Sequence, residues 1–166
     1  MTLDNFWKII ADVQRDSCGD FGTKCELLDT TLRKLPLAEV RSFNEHFTDS
    51  LDRAYNHKLW GAAYVIGGGC GDDGFWDFRS TLISMGREIF ERALADPESL
   101  ADVLTEDESL QYEGFQSVAY VVTQDLSGGQ EFPRARPHPE NPTGEKWDEE
   151  TVGDLFPKLA EKFHYE

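Results

Sequence analysis

Apolar residues recur along this chain at offsets of three and four, the spacing of a helix face, in one block after another. Asp4 is placed to cap a first helix whose apolar stripe is Phe6, Ile9, Ile10 and Val13. The stretch CGDFG at 18–22 breaks it. A second helix carries Cys25, Leu28, Leu32 and Leu35, and Pro36 stops it. A third opens near Pro36 and Leu37, with proline at a favoured early position and a stripe of Val40, Phe43, Phe47, Leu51 and Ala54. Residues 57–66 are apolar nearly all round. Periodicity alone does not separate a buried helix from a buried strand there, although Gly61, Ala62 and Ala63 favour a helix packed close against a neighbour.

After a glycine-rich stretch at 67–74, Phe75, Phe78, Leu82 and Ile83 define a fifth helix, which Gly86 only bends. Arg87–Glu91 and Glu88–Arg92 then stand four residues apart, as on an exposed helix face. Pro97 opens a short helix after Asp96. Phe115, Val118, Ala119 and Val122 make a helical stripe in a segment whose composition, SVAYVV, suits a strand. Residues 127–147 hold Pro133, Pro137, Pro139 and Pro142 and read as extended and irregular. A last helix over 148–164 takes Asp148 as cap, Trp147 and Val152 as a hydrophobic staple, and Val152, Leu155, Phe156, Leu159 and Phe163 as its buried set. The pattern predicts an all-α, single compact multi-helix domain over 1–166, with a proline-rich excursion and a C-terminal helix. Its core is expected to contain Phe43, Phe47, Trp60, Phe75, Phe78 and Leu82, and the domain to be a monomer or weak dimer.

Composition supports this and adds one bold feature. Of the 166 residues 39% are apolar, with eleven Phe and four Trp, ample for a globular core. No apolar run approaches the length of a membrane span, and the first residues lack the basic start of a secretion signal. Three cysteines, Cys18, Cys25 and Cys70, with no CxxC, fit a reducing cytoplasm. The net charge is −16, from 32 acids against 16 bases. That excess opposes binding to nucleic acid, whose phosphates need Lys and Arg, and to anionic lipid. The acids crowd into 93–133, which holds no Lys or Arg. A field of one sign steers a basic protein partner, and it also keeps a protein dissolved.

The stretch GGGCGDDG at 67–74 is the place to look for chemistry. It fails as a phosphate loop, since no Gly-Lys-Ser/Thr follows. It contains a formal G-x-G-x-x-G through Gly69, Gly71 and Gly74, but Asp72 and Asp73 would set two negative charges beside a pyrophosphate. It lacks the ligand spacing of a calcium loop and the paired sulfurs or histidines of a zinc site. No cofactor and no metal is therefore assigned. The stretch reads more simply as a corner, its glycines ending one helix and Asp72 or Asp73 capping the next. Two residues resist that account. Arg79 falls on the apolar side of its helix, where a guanidinium needs a carboxylate or carbonyl partner; an ion pair with Asp72 or Asp73 is the expected solution, with Asp52 and Glu88 as further candidates. Cys70 lies near a helix start, where a thiol can be activated, with His46 or His57 as its base. The candidate catalytic set is Cys70, Asp72, Asp73, Arg79 and His46.

The block LWGAAYVIGGGCGDDGFWDFRSTLISMGREIFERALADPESL at 59–100, together with Phe6 and Trp7, resembles the bacterial family known as domain of unknown function 4240. The shared pattern runs through Trp60, Gly61, Tyr64, Cys70, Asp72, Asp73, Phe75, Arg79 and Gly86, and the resemblance covers about residues 3–125. It implies a cytoplasmic protein and carries no activity with it. Two functional readings remain. One is a non-catalytic acidic interaction module, regulatory or immunity-type. The other is a small enzyme or ligand-binding domain at the glycine-rich corner and Arg79.

Overall fold

The computed structural model describes residues 1–134 and 136–165. The helical spacing is realised throughout, with 64% helix and no strand among the described residues. Among the described residues nine α-helices form: α1 (Leu3–Asp16), α2 (Phe21–Leu32), α3 (Leu37–Arg53), α4 (His57–Gly67), α5 (Asp72–Ser84), α6 (Arg87–Ala95), α7 (Phe115–Ser127), α8 (Val152–Leu155) and α9 (Pro157–Lys162), with a 3₁₀ helix at Pro97–Asp102. Both ambiguous segments, α4 and α7, are helices.

Helix α5 lies at the centre and touches α1, α3, α4, α6 and α7. Burial on so many sides explains its weak amphipathicity: Phe75, Phe78, Leu82 and Ile83 share the interior with Arg79, Ser80, Thr81 and Ser84. Helix α7 packs against α2, α3 and α5. Of the expected core, Phe43, Phe47, Phe75, Phe78 and Leu82 are buried, and Trp60 is partly buried, stacked on Phe75 with ring centres 4.8 Å apart.

Several ends differ from the sequence expectation. The cap of α1 is Thr2, whose hydroxyl accepts from the Asn5 amide; Asp4 lies inside the first turn. Gly86 separates α5 from α6 rather than bending one helix, because its φ of 101° is left-handed backbone. The charges on α6 do not pair along their own helix. Glu91 takes both guanidinium nitrogens of Arg53 on α3 at 2.9 and 2.7 Å, Arg87 reaches Asp4, and Arg92 reaches Asp102. The C-terminal helix begins at Val152, with Thr151 and not Asp148 before it, ends at Lys162, and is broken in two at Phe156, since the residue before Pro157 is pushed out of the α region. The register shifts with the break, so Leu155 is 59% exposed while Val152, Phe156 and Leu159 are buried.

The proline-rich segment is pinned to the helical body. The Thr143 amide donates to the Tyr55 carbonyl and the His57 amide to the Thr143 carbonyl, a single parallel bridge. Trp147 donates its indole N–H to the His57 carbonyl at 2.8 Å and lies with Phe156 over Gly61. A β-carbon at Gly61 would stand 3.0 Å from both rings. Gly61→Val should therefore lower stability by about 1–3 kcal/mol. It should also speed tryptic cleavage at Lys146 and Lys158, and a wild-type melting curve with unchanged cleavage would show that the contact is dispensable.

Candidate functional site

The glycine-rich corner joins α4 to α5, and most of its glycines have a backbone reason. Gly68, with φ of 62°, is the left-handed C-cap of α4, and the Gly69 amide returns to the Tyr64 carbonyl at 2.9 Å. Gly67 and Gly74 flank the side chain of Gln111, which donates to the Gly69 carbonyl at 3.0 Å; a β-carbon at either glycine would collide with the Gln111 amide. The corner is thus built around a glutamine supplied from 44 to 37 residues downstream, by the segment that precedes α7. Trp60 closes it from the other side, donating its indole N–H to the Cys70 carbonyl at 2.8 Å.

Asp72 and Asp73 stand in the first turn of α5, where their charge meets the positive end of the helix. The cap itself is Gly71, and no side chain bonds the free amides, so the expected aspartate cap is absent. Both carboxylates are exposed and make no hydrogen bond or ion pair among the described residues.

The expected ion pair between Arg79 and these aspartates does not form. Arg79 is 5% exposed, and its guanidinium turns to α3 instead. Nη1 donates to the Leu51 carbonyl at 2.9 Å and Nε to the Phe75 carbonyl at 3.3 Å. The rings of Tyr55, Phe75 and Trp76 surround it, with centres 4.7, 4.9 and 5.2 Å from Cζ. The Leu51 carbonyl is one of those a helix leaves unbonded in its last turn, so Arg79 caps α3 from α5. Burial pulls the guanidinium down to about 10, with Tyr55 and Asp52 acting in the opposite direction.

Outside Arg79 lies a cleft of about 360 Å³, lined by Asp52, Tyr55, Asp72, Asp73, Trp76, Arg79, His138 and Pro139. Two of these come from the proline-rich segment. His138 Nδ1 meets Asp52 at 2.8 Å, and Arg134 donates to the other oxygen of Asp52 at 2.8 Å. Trp76 is 36% exposed on the cleft wall.

The other candidates stand apart from the cleft. Cys70 is buried, donates weakly to the Gly71 carbonyl, and has its thiol pushed up to about 12 by burial, an inert state. His46 bonds the Met1 carbonyl through Nε2 at 3.1 Å and packs beside Phe6. No hydrogen bond joins Cys70 to His46 or to His57, which stacks on Trp60. Among the described residues no group of three or more His, Cys, Asp or Glu converges on a common point.

A family model described as a protein of unknown function (DUF4240) matches residues 1–126. The chain belongs to that family. No curated protein and no solved structure matches it. The DUF4240 match takes in the corner, Asp52, Trp76 and Arg79, and ends before the segment that brings Arg134 and His138 to the cleft.

Two outcomes are expected. Arg79→Met should cost about 1–3 kcal/mol, because the Leu51 carbonyl loses a charged donor, and Arg79→Lys should not restore it, since a point charge cannot fork and stack as a guanidinium does. Chemical denaturation of the three proteins reads this directly. Iodoacetamide at neutral pH should label exposed Cys18 first and leave Cys70 unlabelled until the chain unfolds. Early labelling of Cys70, seen by peptide mass spectrometry, would restore it as a reactive thiol.

Proposed function

We propose that this protein is a non-catalytic recognition module that takes a basic side chain of a protein partner into the cleft between α3, α5 and the proline-rich segment. The observation that carries this reading is the pair Asp72 and Asp73, both without a hydrogen bond or ion pair among the described residues, on the rim of a cleft walled by Trp76 and Tyr55. Carboxylates beside aromatic faces suit a guanidinium or ammonium, which gains a charge partner and a ring to rest on. Arg79 does not compete for them, because its charge is spent on α3 and the rings beneath. The net charge of −16 adds a long-range field that speeds the approach of a basic surface and weakens with salt. Free thiols at all three cysteines support residence in a reducing cytoplasm.

A second reading, a small-ligand cleft at the same place, is favoured by Arg79 Nη2, which makes no hydrogen bond within the protein among the described residues. Tryptophan fluorescence separates the two. A tri-arginine peptide should quench the emission saturably at low salt, and the change should vanish in Trp76→Phe and weaken at least tenfold in the Asp72→Asn/Asp73→Asn double variant, about 1.4 kcal/mol or more. Quenching by inorganic phosphate and not by the peptide would favour the second reading. No response to either probe would remove the cleft as a recognition site.

A further inference from the structure

A second cleft, on the far side of α5 from Asp72 and Asp73, holds a cation with far less support than Arg79. Lys24 on α2 is 5% exposed. Its ammonium has three donors and uses one, a 3.3 Å hydrogen bond to the Ser84 hydroxyl. The Ser84 proton is itself committed to the Thr81 carbonyl at 2.7 Å. No carboxylate comes within 4.0 Å of Lys24 among the described residues. A buried ammonium in this condition is costly, and burial lowers its proton affinity.

Lys24 lines a cavity of about 190 Å³ enclosed by α1, α2, α5, α6 and the segment before α7. The same cavity is lined by Gln14, whose side-chain oxygen is buried with no donor. It is also lined by Glu108, whose field acts on Lys24 and whose Oε2 is held at 2.7 Å by the Thr105 amide. The remaining Glu108 oxygen makes no hydrogen bond. The other walls are apolar, chiefly Phe21, Met85, Ile89 and Leu110. Leu110 holds φ of 57°, a left-handed conformation that a leucine rarely adopts, and is buried there.

The cavity therefore offers a cation with a single weak hydrogen bond and, among the described residues, a carboxylate oxygen without a donor, around an apolar hollow. Lys24 and Glu108 cancel in charge, so a plain anion or a plain cation would satisfy one end and strain the other. A volume well under the roughly 300 Å³ of ordinary drug-sized sites limits the occupant to a small metabolite. We infer that this cavity binds a small zwitterion with an apolar side chain, of the class of free hydrophobic α-amino acids. Its carboxylate pairs with Lys24, its ammonium with Glu108, and its side chain fills the space against Phe21, Met85 and Ile89.

The test is calorimetric titration of the full chain with L-leucine, L-methionine and L-phenylalanine, against two probes each lacking one charge, leucinamide and 4-methylpentanoate. At least one amino acid should bind saturably, and both single-charge probes at least about tenfold more weakly. Lys24→Met should abolish binding while the melting temperature holds or rises, because an unsupported buried charge is replaced by an isosteric apolar chain. Glu108→Gln, at the half-buried rim, gives an independent reading: it should weaken the amino acid at least about tenfold and leave 4-methylpentanoate bound as well or more tightly, because the repelling carboxylate is gone. Absence of saturable binding by all three amino acids would overturn the inference. Equal binding of 4-methylpentanoate, or full binding by Lys24→Met, would do the same. So would a large fall in the melting temperature of Lys24→Met with Glu108→Gln binding normally, since Lys24 would then be a structural residue.

Discussion

The hydrogen bond from Arg79 to the Leu51 carbonyl is the constraint on which the rest of the corner depends. It ties the end of α3 to the middle of α5, and α5 is the helix around which the others pack. A guanidinium suits this position for reasons of shape. It is planar, it donates to two carbonyls at once, and it tolerates aromatic faces above and below. A carboxylate partner would have brought a second buried charge to be desolvated, whereas the last-turn carbonyl of α3 already needed a donor. One interaction thus satisfies a helix end and a buried cation together. It leaves Asp72 and Asp73 outside, at the positive end of α5 and without a hydrogen bond or ion pair among the described residues.

Residues between Trp147 and Tyr165 contribute to the same hydrophobic core although the family match stops at 126. Val152, Phe156 and Leu159 are fully enclosed, Glu98 caps the start of α9 by accepting from the Lys158 amide at 2.8 Å, and Lys162 reaches the Ala101 carbonyl. The proline-rich segment between them runs past the cleft and sets Arg134 and His138 on Asp52. The floor of the cleft therefore lies within the matched region and part of its rim outside it. His138 and Pro139 are the lining residues that come from beyond 126.

The helices were legible because apolar spacing is local, and so were the glycine cap after Ile66 and the close approach at Gly61. What packs on Gly61 was not legible, since Trp147 and Phe156 arrive from 86 and 95 residues downstream. The purpose of Gly67 and Gly74 was hidden for the same reason: Gln111 carries no local mark of where its amide will rest. The break at Phe156 was available from Pro157, whose effect on the preceding residue outweighs an unbroken apolar stripe. Asp72 and Asp73 are among the acids nearest to Arg79 in sequence, yet its partners are the Leu51 and Phe75 carbonyls. Nothing along the chain announces that α3 will end against α5.

Arg79 and Lys24 share a signature that sequence can display: a cation on a helical stripe of apolar residues, Lys24 standing four before Leu28 and eight before Leu32. They differ in what the fold supplies. Arg79 finds two carbonyls and three rings. Lys24 finds one hydroxyl, in a chain with twice as many acids as bases. Helix α2 could have held an apolar residue there at no loss to packing, and Glu108 could have closed on the ammonium; neither is the case. A cost left standing in the free protein is one that an occupant relieves on binding, and the same occupant then stabilises the fold by the amount of its own affinity. The incomplete site, not the complete one, is where a small molecule has something to gain.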